Sequence, residues 1–188
     1  MSDIRHDAEP YIPGRSLPPY ARDALRRGRG GISSLWAMLR GAVAGLGATA
    51  VMTGTMAATY RWLAPPERYP LQPREITEKV TDVLGMRRRM SEEQHVGTTL
   101  LLHAGYGAAM GAVYPLLADR IPGPSAVKGI AYGLLVYAGS YLGWLPALGV
   151  LRPATEFSAQ RNALMIFAHV VWGAVLGQSS ARLRPAAA

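Results

Sequence analysis

Two histidines in this chain stand in matching surroundings, and their chemistry most needs an account. His103, Tyr106, Gly107 and Gly111 recur as His169, Trp172, Gly173 and Gly177: histidine, an aromatic at i+3, glycines at i+4 and i+8. Imidazole titrates near neutrality. Two imidazoles at one depth on neighbouring helices can ligate a haem iron from opposite faces, or form part of a proton or ion path. The plainer reading is that each bonds a carbonyl or hydroxyl across a helix bundle and fixes its register. His103, Tyr106, His169 and Trp172 therefore make one candidate polar site. No cofactor is expected there, and haem b is the weakest alternative.

Little else in the sequence promises a reaction. There is no cysteine, which removes disulfides, thiolate catalysis and cysteine metal sites. No Ser-His-Asp set, phosphate loop or metal-spaced acidic cluster is present. Glu92, Glu93, Gln94 and His95 are adjacent, and adjacent residues do not share a helix face. Ser91 with Gln94 three residues on is a capping-box pattern instead, placing a helix start at Glu92. Glu156 and Arg161 flank the start of the last apolar run, where Glu156 favours a helix N-terminus or pairs with Arg161. The reading is non-enzymatic.

The elements that must position the histidines are long and apolar. Residues 41–60, 96–118, 129–151 and 162–181 contain no charged side chain. About 20 such residues cross the hydrocarbon of a bilayer as a helix, and a helix satisfies its own backbone there. The expected fold is an all-α integral membrane bundle of four transmembrane helices, over about 35–63, 92–118, 125–151 and 160–182. Every run carries glycines four apart: Gly41/Gly45, Gly107/Gly111, Gly129/Gly133, Gly139/Gly143 and Gly173/Gly177. Such spacing clears one helix face for close backbone approach, the GxxxG mode of packing in lipid. Thr53, Thr55, Thr59, Thr98, Thr99 and Ser140 are hydroxyls within the runs, read as back-bonded to carbonyls of their own helices. Trp36, Tyr60, Trp62, Tyr114 and Trp144 lie near run ends, as interfacial aromatics do.

The runs form two related pairs. The second and fourth share the histidine pattern at an offset of 66 residues, and Gly41, Gly45 and Pro65 return as Gly129, Gly133 and Pro153 at an offset of 88. The difference, 22, is about the length of an insert in the first loop. This insert predicts an amphipathic helix over about 73–84. Pro73 suits its first turn, Gly85 its stop, and Ile76, Val80, Val83 and Leu84 make one apolar stripe. It is expected to lie in the headgroup layer or dock on the bundle. Two related hairpins, the first carrying the insert, make a parallel repeat.

Residues 1–34 form a polar segment rich in proline, glycine and arginine, read as a mobile tail, with Ser33 or Ser34 capping the first membrane helix. Residues 185–188 are a short C-terminal tail. The N-terminal segment has no apolar core of the about 7–15 residues that a signal peptide needs. The net charge of +8 resides outside the apolar runs, notably in Arg26, Arg27, Arg29 and Arg87–Arg89. Anionic lipid headgroups account for these arginines, and no nucleic-acid partner is expected. Loop charges nearly tie between the two sides. The first helix dominates orientation, so both termini are expected to be cytoplasmic.

The second half resembles the YagU-like bacterial inner-membrane proteins, a family with no established reaction. The likeness rests on His103 with small residues behind it, on Leu145, Pro146, Ala147, Leu148 and Gly149 at the end of the third run, and on Pro153. Phe167, Ala168, His169, Val170, Val171 and Trp172, and the Pro65–Pro66 pair, also fit. It covers about residues 35–184. The resemblance implies a multi-span protein of the inner membrane and transfers no catalytic residue. Together these features point to a scaffold or accessory subunit acting by helix packing, partnered by other membrane subunits or a second copy. The alternative is a small transporter or proton path lined by His103 and His169.

Overall fold

Glycine spacing dictates how the long helices of this protein meet. The computed structural model describes residues 19–184, and the chain divides into two units, Met1–Ser34 and Leu35–Ala188. Residues 1–18 and 185–188 lie outside the described residues, as does any tail assigned to them. Secondary structure among the described residues is all helical, without strands. It comprises α1 (Pro19–Tyr60), α2 (Gln72–Val83), α3 (Glu92–Ala118), α4 (Ser125–Ala138), a π-helical segment (Gly139–Trp144), the short α5 (Leu145–Ala147) and α6 (Ala159–Arg182), with single 3-10 turns between them. Residues 19–34 are helical, and Ser33 and Ser34 lie inside α1 rather than capping it. Among the described residues, three helical stretches are long and apolar enough to cross a membrane: Ser33–Tyr60, Glu92–Ala118 and Ala159–Arg182. Their outer faces present Val43, Val51, Leu101, Leu117 and Phe167.

Two antiparallel glycine seams hold the second unit together. In the first, Gly41 and Gly45 of α1 face Gly111 and Gly107 of α3. A Cβ at Gly41 would overlap the Gly111 carbonyl and lie 2.7 Å from Pro115 Cδ, and one at Gly45 would lie 2.9 Å from Gly111 Cα. Pro115 has a cause in this seam. It lies inside α3, and without an N–H it frees the carbonyl four residues back. That carbonyl belongs to Gly111, the one that Gly41 covers. In the second seam, Gly129 and Gly133 of α4 face Gly177 and Gly173 of α6, with Gly177 Cα 2.9 Å from a Cβ at Gly129 and Gly173 Cα 3.1 Å from one at Gly133. The pairs 41·111 and 45·107 become 129·177 and 133·173 under the two sequence offsets.

The third apolar run is not one uniform helix. α4 passes into the π segment at Gly139, and Gly143 leaves helical geometry altogether, at φ −110° and ψ −109°. The glycine pair here does no packing within the chain: nothing lies within 4 Å of a Cβ at Gly139, and only Ala138 O, at 3.9 Å, near one at Gly143. These glycines accommodate a change of helical pitch, the usual place for a π-bulge.

α3 starts as its sequence predicts. Ser91 Oγ accepts from Gln94 N–H, and Gln94 Oε1 accepts from Ser91 N–H at 2.8 Å. α2 stops at Gly85, which adopts φ +67°, but its buried face differs from the expected stripe. Gln72, Thr77 and Thr81 are buried, Ile76 and Val80 are half-buried, and Val83 and Leu84 are exposed. The threonine hydroxyls explain this. Thr77 donates to Pro73 O and Thr81 to Thr77 O, both at 2.9 Å, so each hydroxyl is satisfied on its own helix and the methyl is free to pack.

Candidate functional site

His103, Tyr106, His169 and Trp172 line a single cavity of about 190 Å³. α1 supplies Thr49 and Met52 to its wall, α2 supplies Ile76 and Thr77, and the π segment supplies Ser140, Tyr141 and Trp144. No charged side chain lines it. Most of the lining is buried or half-buried. Leu102 and Trp144, at 41% and 44% exposure, are the exposed members. They place the mouth between α3 and the π segment.

Hydrogen bonds across the cavity join the two glycine-seamed pairs. Trp172 Nε1 donates to Thr49 Oγ1 at 3.0 Å, linking α6 to α1. Tyr106 OH and Ser140 Oγ lie 2.8 Å apart, linking α3 to the π segment. Tyr132 OH donates to Met110 O at 2.8 Å, and the Tyr132 ring stacks on Trp172 and meets a tilted Tyr114, with centroids 6.2 and 5.3 Å away.

A hydrogen bond fixes one histidine tautomer. His169 Nδ1 lies 2.8 Å from Met165 O. A carbonyl only accepts, so Nδ1 carries the proton and Nε2 is left as an acceptor. His103 Nδ1 lies 3.3 Å from Thr53 Oγ1, which also lies 2.9 Å from Thr49 O. That hydroxyl accepts from His103 when it donates to Thr49 O, and donates to His103 otherwise. Neither Nε2 has a hydrogen-bond partner among the described residues. His169 is 6% exposed and is held edge-on against Tyr137 and Tyr141, with centroids 5.2 and 5.7 Å away. The arrangement can accept hydrogen bonds, or a proton, from whatever occupies the cavity. Among the described residues, no three His, Asp or Glu side chains group as metal ligands.

The residue that sequence reasoning missed is Arg161. Its side chain is fully buried in the first turn of α6. It does not pair with Glu156, which is exposed. It reaches back to the first loop: Nη1 donates to Glu67 O and Tyr69 O at 3.0 and 3.1 Å, and Nη2 to Pro70 O at 2.7 Å and Glu75 Oε1 at 3.4 Å. The guanidinium lies 3.6 Å above the Tyr69 ring centre, a cation–π arrangement. Burial pushes the Glu75 carboxyl up, and Arg161 and Arg152 partly oppose it. The signal was present in the sequence as a lone arginine at the head of an apolar run, but its acceptors are main-chain carbonyls of the first loop. A second network ties α2 to the start of α3: Arg74 bonds both Glu92 oxygens, at 2.9 and 2.8 Å, and Glu78 at 2.7 Å.

At the opposite end of the bundle Asp119 bridges Arg40, 2.6 Å away, and Arg184. Lys128 Nζ caps the end of α3 by donating to Ala118 O and Ile121 O, at 3.0 and 2.9 Å. Arginine and lysine are favourable at that negative helix end.

No curated protein and no solved structure matches this chain. Residues 64–177, which hold α2, α3, α4 and all four cavity-lining site residues, match one family. The chain belongs to the family described as "Protein of unknown function (DUF1440)".

Proposed function

We propose that this chain is a non-enzymatic, four-span membrane protein that binds a small molecule in the cavity between His103 and His169. The observation that carries this reading is a pair of imidazole side chains lining an otherwise mainly apolar cavity. Binding sites are built in this way, with apolar walls and a few placed polar groups. The cavity contains no carboxylate or nucleophile–base pair, which favours binding over reaction. Its about 190 Å³ falls below the about 300–1,000 Å³ of ordinary ligand pockets, so a porphyrin is disfavoured. A proton path through the same nitrogens is a variant of this reading.

We count α4, the π segment and α5 as one further span, kinked at Gly143, since together they cover residues 125 to 147. The matched registers of the two glycine seams support a duplicated hairpin, with α2 as the insert of the first copy. The first helix dominates orientation, which favours both termini on the cytoplasmic side. The bacterial inner membrane follows from the YagU-like resemblance, which is consistent with the family above.

A scaffold or accessory-subunit role is the second reading. Eight of the ten spaced glycines are consumed inside the chain, so they no longer argue for partners. What favours assembly is the outer face of α1, where Gly47 and Gly54 have nothing within 4 Å and Ala50 between them is exposed. A stoichiometric partner recovered in mild detergent supports that role.

The absence of native cysteine allows a direct test of the cavity. Ser140→Cys in intact membranes should react with N-ethylmaleimide, a small permeant reagent. A folded variant that stays unmodified under conditions that label an exposed control, Thr155→Cys, would overturn the cavity reading.

A further inference from the structure

The cavity's size, walls and hydrogen-bond polarity together select a class of occupant. An apolar cavity of about 150 Å³ holds a benzene ring. This one, at about 190 Å³, has room for one six-membered ring with small substituents. Its aromatic wall, from Tyr106, Tyr141, Trp144 and Trp172, suits a flat ring packed edge-to-face or offset. The polar groups include both acceptors and donors. His169 Nε2 is an acceptor, because its Nδ1 proton is committed to Met165 O. Thr49 Oγ1 is spent, donating to Gly45 O at 2.8 Å and accepting from Trp172. The Tyr106 and Ser140 hydroxyls share one bond, which leaves one of their two hydrogens over, and the Tyr141 hydroxyl also lies in the wall. A ligand hydroxyl that donates to Nε2 and accepts from one of these hydroxyls complements the set. A charged amine would have to shed its hydration in a site without a carboxylate, which is costly. A neutral hydroxyl on an aromatic ring meets every condition.

The mouth adds the route. Leu102 and Trp144 at its rim lie on helical segments whose outer faces are apolar, with Leu101 and Leu142 exposed beside them. The opening therefore lies on an apolar side of the bundle, beside α2.

Building on the reading of this cavity as a ligand site, we propose that it takes the ring of a lipid-soluble phenol, hydroquinones included. The ring enters sideways between α3 and the π segment, and its hydroxyl donates to Nε2 of His103 or His169. No bond to the protein forms and none breaks.

The test uses the full chain in lipid nanodiscs and ligand-detected fluorine NMR. The probes are 4-fluorophenol and 4-fluoroanisole, which differ in the one donor hydrogen, each corrected for partition into empty nanodiscs. The phenol is expected to bind at least about tenfold more tightly, a difference of about 1.4 kcal/mol. Equal affinities, or no binding of either, overturn the proposal. His103→Phe and His169→Phe keep a ring and remove the acceptor. The preference should fall in at least one of them, and a full preference in both overturns it. Displacement by 4-dodecylphenol supports access from lipid, and failure of that long-tailed probe to compete overturns the lateral route. Labelling of the Ser140→Cys variant separates the two levels. A labelled variant with no phenol preference in the native chain removes the ligand class and leaves the cavity reading intact, whereas an unlabelled one removes both.

Discussion

The α1–α3 pair and the α4–α6 pair share a seam and differ in almost everything that faces the cavity. Glycines meet at corresponding positions in both. The first pair then carries α2, which brings Ile76 and Thr77 to the cavity, and the second carries the π segment, which brings Ser140 and Tyr141. The histidines occupy equivalent places in different company. His103 faces Thr53, whose equivalent at the offset of 88 is Tyr141, and Tyr141 packs its ring against His169. Thr49 corresponds to Tyr137, the other ring on His169. The contrast teaches that close backbone packing constrains the seam tightly, because no side chain fits there, while the opposite faces are free to diverge into a site.

The largest expected effect tests the shared seam. Gly41→Leu and Gly129→Leu should each prevent folding or cost more than about 3 kcal/mol, at or beyond the upper end of ordinary overpacking. In both cases the obstacle is backbone, which cannot swing aside. The fraction of monodisperse protein by size exclusion measures this. A well-folded Gly41→Leu beside a collapsed Gly129→Leu would break the equivalence of the pairs.

Arg161 has no counterpart in the first pair, where the residue 66 positions earlier is His95. Arg161→Met should destabilise by about 3–5 kcal/mol, the scale for breaking a buried ion pair from one side, because three carbonyls and Glu75 lose their donor. Thermal unfolding in nanodiscs reads the loss. A change below about 1 kcal/mol would mean that the first loop is held by other contacts.

The histidines sharpen the contrast at a smaller scale. Both glutamine changes should cost on the order of 1 kcal/mol, the scale of an interhelical hydrogen bond in membranes, which His103 makes to Thr53, whereas His169 bonds only Met165 of its own helix. His169→Gln should be the worse, since it also removes two ring contacts, whereas glutamine at 103 still has a donor for Thr53. Paired melting curves decide the order, and a larger loss at 103 would reverse the assignment of roles.

The smallest effect is a pH dependence at Glu75. Its carboxyl is raised in the fold above the ordinary 4.5. Its contribution to stability is therefore fully present below that value and is lost as pH rises through the folded pKa. Wild type should gain on Glu75→Gln as pH falls from about 7 towards 4.5. A gain in the opposite direction would mean that attraction to Arg161 outweighs burial.

Much of this was legible before any coordinates. Glycine spacing, the capping box at Ser91 and the stop at Gly85 are local features, written where they act. His103, Tyr106, His169 and Trp172, which line one cavity, stand out in the sequence as a recurring pattern of histidine, aromatic and glycines. What escaped depends on distant main chain or on pitch. Arg161 bonds carbonyls that carry no side-chain signature. The π segment looks like any apolar helix, because its glycines at 139 and 143 have the spacing of a packing pair. The α2 stripe misled because threonine, once its hydroxyl is satisfied on its own helix, packs through its methyl.

Arg161 also sets an order in time. Its acceptors precede it by 86 to 94 residues, so the first loop leaves the ribosome well before its anchor exists. At about 5–20 residues per second that interval lasts roughly 4–20 s. During it, α1 and α3 are already made while residues 67–75 wait without the guanidinium that will gather them. The last of the described helices is thus the one that finishes the first loop, and a chain truncated before residue 161 should keep its first glycine seam and the Arg74–Glu92 tie yet leave residues 67–70 without the donor that gathers them.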